Sequence, residues 1–215
     1  MPDDLTLLRA WQSGDTAAGR TLIARHYPSV YRFFFSKVSD GACEDLTQGT
    51  FEVLCRRRDA FRGEASFKGF VFGIARMKLL EHIRHRTRRG PSFDPGEHSI
   101  VDPATEGSLS SLLADRQVEH VVSQALRGLS LDDQIVLELK EYEQLTTREL
   151  AQLFAVADGT MAGRVARARQ RLREATERLL SEPDLRDSQV RDLDSAMRSI
   201  GDKIDVHLRG RPPRA

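Results

Sequence analysis

Arginine side chains recur along one face of a predicted helix in the second half of the chain. Arg164, Arg167 and Arg171 stand three and four residues apart, a spacing that places their guanidinium groups on one side of a helix. Guanidinium groups bind phosphates and the edges of guanine bases. The stretch from 164 to 173 holds five arginines and no acid, and the stretch from 62 to 89 holds eight basic residues against two acids. Two basic surfaces in separate parts of a chain are typical of a protein that binds a polyanion.

The sequence gives little support for a metal site, a disulfide framework or a catalytic site. Glu81, His82 and His85 could be drawn into a metal site, but no further ligand cluster lies nearby, and we expect no metal. Cys43 and Cys55 cannot make a disulfide framework or a four-ligand zinc site by themselves, so buried reduced thiols are expected. A glycine-rich phosphate loop, a Ser-His-Asp constellation and paired catalytic carboxylates are all missing. The sequence therefore predicts a binding protein without a cofactor rather than an enzyme.

The charge balance of the whole chain conceals these basic surfaces. The 215 residues carry 33 basic and 32 acidic side chains, for a net charge of +1. Residues 1–95 sum to +5 and residues 96–118 to −3, whereas the rest is close to neutral. No run approaches the roughly 20 apolar residues of a membrane span. The first residues, MPDDL, lack the basic segment followed by an apolar segment that forms a secretory signal. We therefore expect a cytoplasmic protein with no membrane insertion.

The elements that must position these groups are helices. Apolar residues recur at helical spacing, and the sequence has no sustained alternation of apolar and polar residues of the kind that forms strands. This pattern predicts an all-α fold of two bundles. Residues 1–89 form the first predicted domain and residues 118–180 the second. Between them, residues 90–117 are rich in proline and glycine and are interpreted as a flexible linker. In the first domain, an amphipathic helix from about Ser66 to Arg88 carries a basic polar face.

The second domain contains a predicted helix-turn-helix. Thr146 and Glu149 form a capping box that begins a short helix, residues 155–159 form a tight turn, and a second helix begins at about Thr160. The second helix has an apolar face of four residues: Met161, Val165, Ala168 and Leu172. Its arginine face would then be available to a DNA major groove, although an ordinary helical hairpin has the same spacing.

The C-terminal segment, residues 181–215, is predicted to form an amphipathic helix. Its apolar positions recur at spacings near 3.6 residues: Leu185, Val190, Leu193, Met197, Ile200, Ile204 and Leu208. An isolated helix of this kind needs a partner. It could pack on either domain as a built-in regulator, bind another protein, or have a purely structural role.

Four motifs in order resemble the bacterial sigma-70 family, specifically the extracytoplasmic-function (ECF) type that has only regions 2 and 4. Residues 44–51 (EDLTQGTF) resemble the core-binding motif of region 2, and residues 61–67 (FRGEASF) with 72–76 (FGIAR) resemble its minus-10 reading segment. Residues 129–139 and the helix-turn-helix with 164–169 (RVARAR) resemble region 4. The resemblance covers roughly residues 5–89 and 118–180.

This resemblance implies a function in transcription initiation. In the family, region 2 docks on the clamp helices of the β′ subunit of RNA polymerase core, region 4 docks on the β flap, and both read promoter DNA. The residues implied to bind core polymerase are Glu44, Asp45, Leu46, Gln48 and Phe51. Those implied at minus-10 DNA are Phe61, Arg62, Phe67, Lys68, Arg76, Lys78 and Arg84, and those at minus-35 DNA are Thr160, Arg164, Arg167 and Arg171. The competing hypothesis is a helix-turn-helix regulator that acts without binding core polymerase, which would leave the motifs of the first domain unexplained.

Phe61 and Phe67 flank a glycine-containing loop and could stack an extruded base. The alternative is that both are core residues. A further partner implied for this family is an anti-sigma factor.

The core-binding motif departs from the family pattern. Gly41 and Gly49 stand where Asp and Glu are common, and each missing surface ion pair weakens attraction to a basic clamp by about 0.2–1 kcal/mol. Thr47 and Thr50 lie on the same segment, where a phosphate would add a charge of about −1.5 to −2. We therefore hypothesise that a Ser/Thr kinase phosphorylates one of them and restores the missing charge.

The helix-turn-helix also departs from the family pattern. Ala155 stands in the turn where Gly is usual, and a left-handed conformation there would cost about 1 kcal/mol. Small residues at 162, 163 and 166 replace longer side chains, so base readout would depend on Arg164, Arg167 and DNA shape.

Overall fold

The structure is a computed structural model that describes residues 2–61, 63, 66–86, 93–100, 117–180 and 193–209. Within these residues the regular secondary structure is helical throughout, and the all-α prediction is confirmed. The α-helices, in chain order, are α1 (Asp4–Gln12), α2 (Thr16–Phe35), α3 (Asp40–Arg57), α4 (Phe67–Arg86), α5 (Gln117–Arg127), α6 (Leu131–Glu141), α7 (Thr147–Phe154), α8 (Asp158–Leu179) and α9 (Leu193–Arg209).

Helices α1–α4 form the first bundle. Asp15 begins α2 by accepting from the backbone N–H groups of Ala17 and Ala18 at 2.9 and 3.1 Å. The bundle buries large apolar side chains from all four helices: Leu8, Leu22, Phe34, Leu54, Phe72 and Leu79. Trp11 of α1 lies so close to α2 at Gly19 that a Cβ atom there would stand 2.6 Å from the indole ring. The predicted helix from Ser66 to Arg88 is α4, which begins and ends within two residues of those positions.

Helices α5–α8 form the second bundle, and α7 and α8 are the predicted helix-turn-helix. The capping box is present, since the Thr146 hydroxyl accepts from the Glu149 backbone and the Glu149 carboxylate accepts from the Thr146 backbone at 2.6 Å. All four predicted inward residues of α8 are buried: Met161, Val165, Ala168 and Leu172. Ala155 ends α7 in the left-handed conformation, with φ 53° and ψ 47°. The helix after the turn begins at Asp158, two residues before the predicted start.

Part of the segment between the bundles is attached to the start of α6. Residues 93–100 form a short turn, in which the carbonyl oxygens of His98 and Pro95 accept from the backbone N–H groups of Leu131 and Asp132, each at 2.9 Å. The remainder of the predicted linker, residues 90–92 and 101–116, lies outside the described residues.

Helix α9 contacts both bundles, through α2 on one side and through α5 and α6 on the other. Four predicted apolar residues are buried in this position: Leu193, Met197, Ile200 and Ile204. Leu185 and Val190 lie outside the described residues. Gly201 allows α9 to approach the Tyr142 ring, since a Cβ atom at 201 would stand 3.0 Å from the ring. The two bundles also touch directly where α7 packs on α4.

Candidate nucleic-acid and polymerase interface

The predicted core-binding segment lies on α3 and divides into a buried and an exposed face. Leu46 and Phe51 are buried and hold α3 on the bundle. Asp45 and Gln48 are exposed and Glu44 is half-buried on the other face. The structure thus turns the two carboxylates and the amide of the motif toward solvent and uses the two apolar residues for packing.

The two threonines of the phosphorylation hypothesis point into the bundle. Thr47 and Thr50 are both 0% exposed. Their hydroxyl groups donate to the carbonyl oxygens of Cys43 and Leu46, each at 2.7 Å. A kinase cannot reach either hydroxyl while α3 stays packed on α2 and α4, because phosphoryl transfer needs the acceptor oxygen in the active site.

The two aromatic residues predicted at minus-10 DNA have different surroundings. Phe67 is 2% exposed and packs against His26, with ring centroids 5.3 Å apart and the rings tilted by 59°, so it is a core residue in this conformation. Phe61 is half-buried against Phe70, with centroids 5.1 Å apart. It borders a cavity of about 380 Å³ between α4 and α7, which Leu153 also lines. Arg62 lies outside the described residues.

The basic residues predicted on α4 are divided between solvent and the second bundle. Arg84 is exposed, and Lys78 pairs with Glu81 on the same helix at 3.2 Å. Lys68 and Arg76 instead contact the second bundle: the Lys68 ammonium is 2.8 Å from the Glu143 carboxylate, and the Arg76 guanidinium is 2.9 Å from Asp132. The Arg76 guanidinium also lies over the Phe154 ring, 4.5 Å from its centroid.

The predicted minus-35 residues lie on α8. Thr160 and Arg167 are exposed and Arg164 is half-buried, so these residues form the outer face near the beginning of the helix. Arg171 makes a two-point ion pair with Asp133 of α6, at 2.6 and 2.8 Å. Because both of its contacts are within the second bundle, Arg171 positions α8 on α6 in this conformation.

A buried ion cluster joins the bundles, and sequence patterns did not reveal it. Arg32 of α2 pairs with Glu143 before α7 and with Asp205 of α9, and Lys37 after α2 pairs with Glu138 of α6. Arg32 and Lys37 lie on either side of a run of three phenylalanines (Phe33–Phe35). This run is a local sequence signal that the two basic side chains are buried.

Charge balance within this cluster favours the ionised forms of Arg32 and Glu143, whereas burial disfavours the ionised form of Lys37. Burial alone would lower the pKa of Arg32, but the carboxylates of Glu143 and Asp205 together raise it. Burial alone would raise the pKa of Glu143, but Arg32 and Lys68 hold it below its ordinary value. The pKa of Lys37 is lowered by burial, which Glu138 only partly offsets.

Among the described residues, no group of three or more His, Cys, Asp and Glu side chains is arranged to hold a metal ion.

No described helix is both long enough and apolar enough to span a bilayer.

Comparison with protein families accounts for both bundles. The family model for sigma-70 region 2 matches residues 22–89, and the model for sigma-70 region 4 matches residues 120–172. The two matches together span more than half of the chain. The chain belongs to the sigma-70 family.

Curated relatives place it among the ECF-type sigma factors. This sigma factor is 28% identical to the RNA polymerase sigma-H factor of Pseudomonas aeruginosa over 189 residues, which are 83% of this chain and 96% of the relative. It is 25% identical to the ECF RNA polymerase sigma-E factor of Escherichia coli K12 over 173 residues, 78% of this chain and 91% of the relative. Its function is therefore to direct promoter-specific initiation by RNA polymerase.

A solved structure supports the same fold. The sigma factor RpoE of Bartonella quintana, crystallised with the anti-sigma factor NepR, superimposes with a TM-score of 0.53 at 21% identity. The match covers 76% of this chain and 97% of that one.

Proposed function

We propose that this sigma factor binds RNA polymerase core through the exposed face of α3 and promoter DNA through α4 and α8. The observation that supports this assignment is the division of α3 and α8 each into a buried apolar face and a solvent-facing polar face. Motif residues on the solvent-facing side are available to an external partner, even where, like Gln48, they hydrogen-bond within their own helix. On α3 these are Glu44, Asp45 and Gln48, which would meet the β′ clamp helices.

The minus-35 contact is proposed at the beginning of α8. Thr160, Arg164 and Arg167 would enter the major groove, because residues near the start of the second helix of a helix-turn-helix contact base edges. Arg171 lies about one turn beyond Arg167 and would contribute to DNA binding by holding α8 in place. The β flap would dock on the second bundle.

The minus-10 contact is proposed on α4. Lys68, Arg76, Lys78 and Arg84 would bind phosphates, and Phe61, whose ring borders the cavity, is the better placed of the two phenylalanines to stack a base. Phe67 would support Phe61 from beneath, since their ring centroids are 6.1 Å apart. Lys68 and Arg76 can reach DNA only after their contacts with the second bundle are broken.

Two regulatory partners are also proposed, an anti-sigma factor and a Ser/Thr kinase. An anti-sigma factor would bind this chain as NepR binds the Bartonella relative. A Ser/Thr kinase would act on Thr47 or Thr50 only when α3 separates from its neighbours. Unchanged assembly with core polymerase in vivo by Thr47→Val and Thr50→Val proteins would exclude the kinase.

Run-off transcription with purified core polymerase tests the proposed function. The template is a promoter that the sigma–core complex selects from random DNA, and we expect a discrete transcript only when sigma factor and core are both present. Asp45→Lys should reduce core binding, and Arg164→Ala should weaken minus-35 binding without reducing core binding. Glu177→Lys, which changes an exposed acid on α8, is the matched charge control. DNA binding without core-dependent transcripts would contradict the proposal.

A further inference from the structure

The second bundle covers part of the surface proposed to bind minus-10 DNA. The Lys68 ammonium donates to the carbonyl oxygen of Glu143 at 2.6 Å and pairs with its carboxylate. Arg76 is held between the Asp132 carboxylate and the Phe154 ring. Two of the basic groups that would bind DNA phosphates are thus already neutralised by acids of the same chain.

The distance between the two proposed DNA-binding helices is too short for a promoter. Helix α4 packs on α7 and α7 packs on α8. Packed helices lie about 8–10 Å apart, which places α8 within about 20 Å of α4 where they cross. Elements named for positions 10 and 35 base pairs upstream are about 25 base pairs apart, which is roughly 85 Å at 34 Å per ten base pairs of B-form DNA. This conformation therefore cannot contact both elements of one promoter.

Helix α9 holds the two bundles in this arrangement. On the side of the second bundle, Glu119 accepts from Ser199 at 3.1 Å and pairs with Lys203 at 3.4 Å. On the side of the first bundle, Asp205 pairs with Arg32, and the His207 ring lies 5.9 Å from the Phe35 ring.

Arg32 connects all three parts of this assembly. Its guanidinium pairs with Glu143 of the second bundle and with Asp205 of α9, while its own helix belongs to the first bundle. The Arg32 and Glu143 side chains are only 7% and 4% exposed, so their ion pair is shielded from water and salt, whereas Asp205, at 25%, is partly open to solvent. Separation of the bundles would leave charged groups without their partners, which favours an all-or-none transition over a gradual one.

We infer that this compact arrangement is a self-closed state of the sigma factor, in which α9 acts as a strap that keeps the second bundle over the minus-10 surface of α4. The inference rests on the proposed function. The polar face of α3 stays exposed in the closed state, so core polymerase can dock there first. Separation of the bundles by polymerase would then expose Lys68 and Arg76 and allow α4 and α8 to reach two distant elements.

Substitutions in the full-length chain test the strap. Ile204 of α9 is 1% exposed, whereas Val206, two residues along, is 70% exposed. Ile204→Asp should release α9, and Val206→Asp adds the same charge to the same helix without touching the interface. Glu143→Gln removes both ion pairs to the first bundle with little change of shape, and Glu177→Gln is its control on an exposed site. Circular dichroism at 222 nm verifies that every variant retains its helices.

Binding of each free protein to a fluorescent promoter fragment with both elements is measured by anisotropy, and the radius of gyration by X-ray scattering. We expect Ile204→Asp to bind at least about tenfold more tightly than wild type and Val206→Asp, because a closed state populated above 90% reduces apparent affinity by that factor. The radius of gyration should rise with affinity. Glu143→Gln should shift both quantities in the same direction, and Glu177→Gln should shift neither radius nor affinity to that extent.

Two results would count against the inference. Equal affinity and equal radius for wild type, Ile204→Asp and Glu143→Gln would overturn it, since no closed state would then limit DNA binding. If Ile204→Asp loses its helices, Glu143→Gln alone decides the question. Run-off transcription with core polymerase distinguishes failure of the closed-state inference from failure of the proposed function. If the wild-type protein gives a core-dependent transcript, the proposed function stands even when the inference fails. If neither the wild type nor any variant gives a transcript, the proposed function is refuted.

Discussion

Replacing Arg32 with methionine should uncouple the two bundles. The substitution keeps a similar length and apolar stem but removes the guanidinium that pairs with Glu143 and Asp205. Removing one partner of a buried ion pair costs roughly 3–5 kcal/mol. We expect the lower end, about 3 kcal/mol, because Lys68 still pairs with Glu143 and the Asp205 side chain is 25% exposed. At 1.36 kcal/mol per tenfold change, this shifts the equilibrium between packed and separated bundles by a factor of about 160.

The position of the single tryptophan provides an assay for this uncoupling. Trp11 is buried in the first bundle, so its fluorescence reports the unfolding of that bundle, whereas circular dichroism reports all helices. Coincident transitions by two probes indicate one cooperative unit. Urea unfolding of wild type should give coincident curves, and Arg32→Met should give curves that separate, with a lower midpoint for at least one bundle.

Arg20→Met, an exposed arginine on the same helix, should behave as wild type. A double-mutant cycle of Arg32→Met with Glu143→Gln should give a coupling energy above about 1 kcal/mol, since residues in one ion-pair network are not additive. Superimposed curves for Arg32→Met and wild type, or additivity within about 0.5 kcal/mol, would refute the reasoning.

Three further predictions concern local features of the fold. Ala155→Gly should stabilise the protein by about 1 kcal/mol in urea unfolding, because it relieves a left-handed alanine, and Ala162→Gly in the exposed face of α8 should lose a similar amount. Gly19→Ala should destabilise the first bundle by about 1–3 kcal/mol in thermal unfolding, because the added methyl group overlaps the Trp11 ring. Acid should separate the bundles. Because the pKa of Glu143 is lowered in the folded protein, the ionised carboxylate contributes its full stabilisation at pH values above the ordinary pKa of 4.5. That stabilisation is lost as the pH falls below 4.5 and the carboxylate becomes protonated. X-ray scattering between pH 3 and pH 8 should show expansion only below that value, and expansion already at pH 6 would contradict this assignment.

Sequence patterns predicted the helices and their buried faces well. The apolar spacing of α8 placed Met161, Val165, Ala168 and Leu172 inward, and all four are buried. The capping box at Thr146 is likewise present. These features depend on contacts within a few residues along the chain, and helical periodicity is a direct consequence of backbone geometry.

The partners of individual charges were less predictable. Lys68, Arg76 and Arg171 lie on predicted basic helix faces, yet each pairs with an acid outside its own helix. Asp133 lies 38 residues from Arg171, and Glu143 lies 111 residues from Arg32. Local spacing defines the face of a helix on which a charge lies, but carries no information about which distant helix will cover that face.

The sequence by itself determined the all-α class, the order of the two sigma regions, the helix-turn-helix and the amphipathic character of the C-terminal helix. Only the tertiary structure decided what that helix contacts, which basic groups are already neutralised, and that Thr47 and Thr50 are buried. The physical reason is that each helix and its buried face follow local periodicity, whereas the arrangement of the bundles depends on long-range contacts: the ion pairs around Arg32 and the packing of α9 and α7 against distant helices.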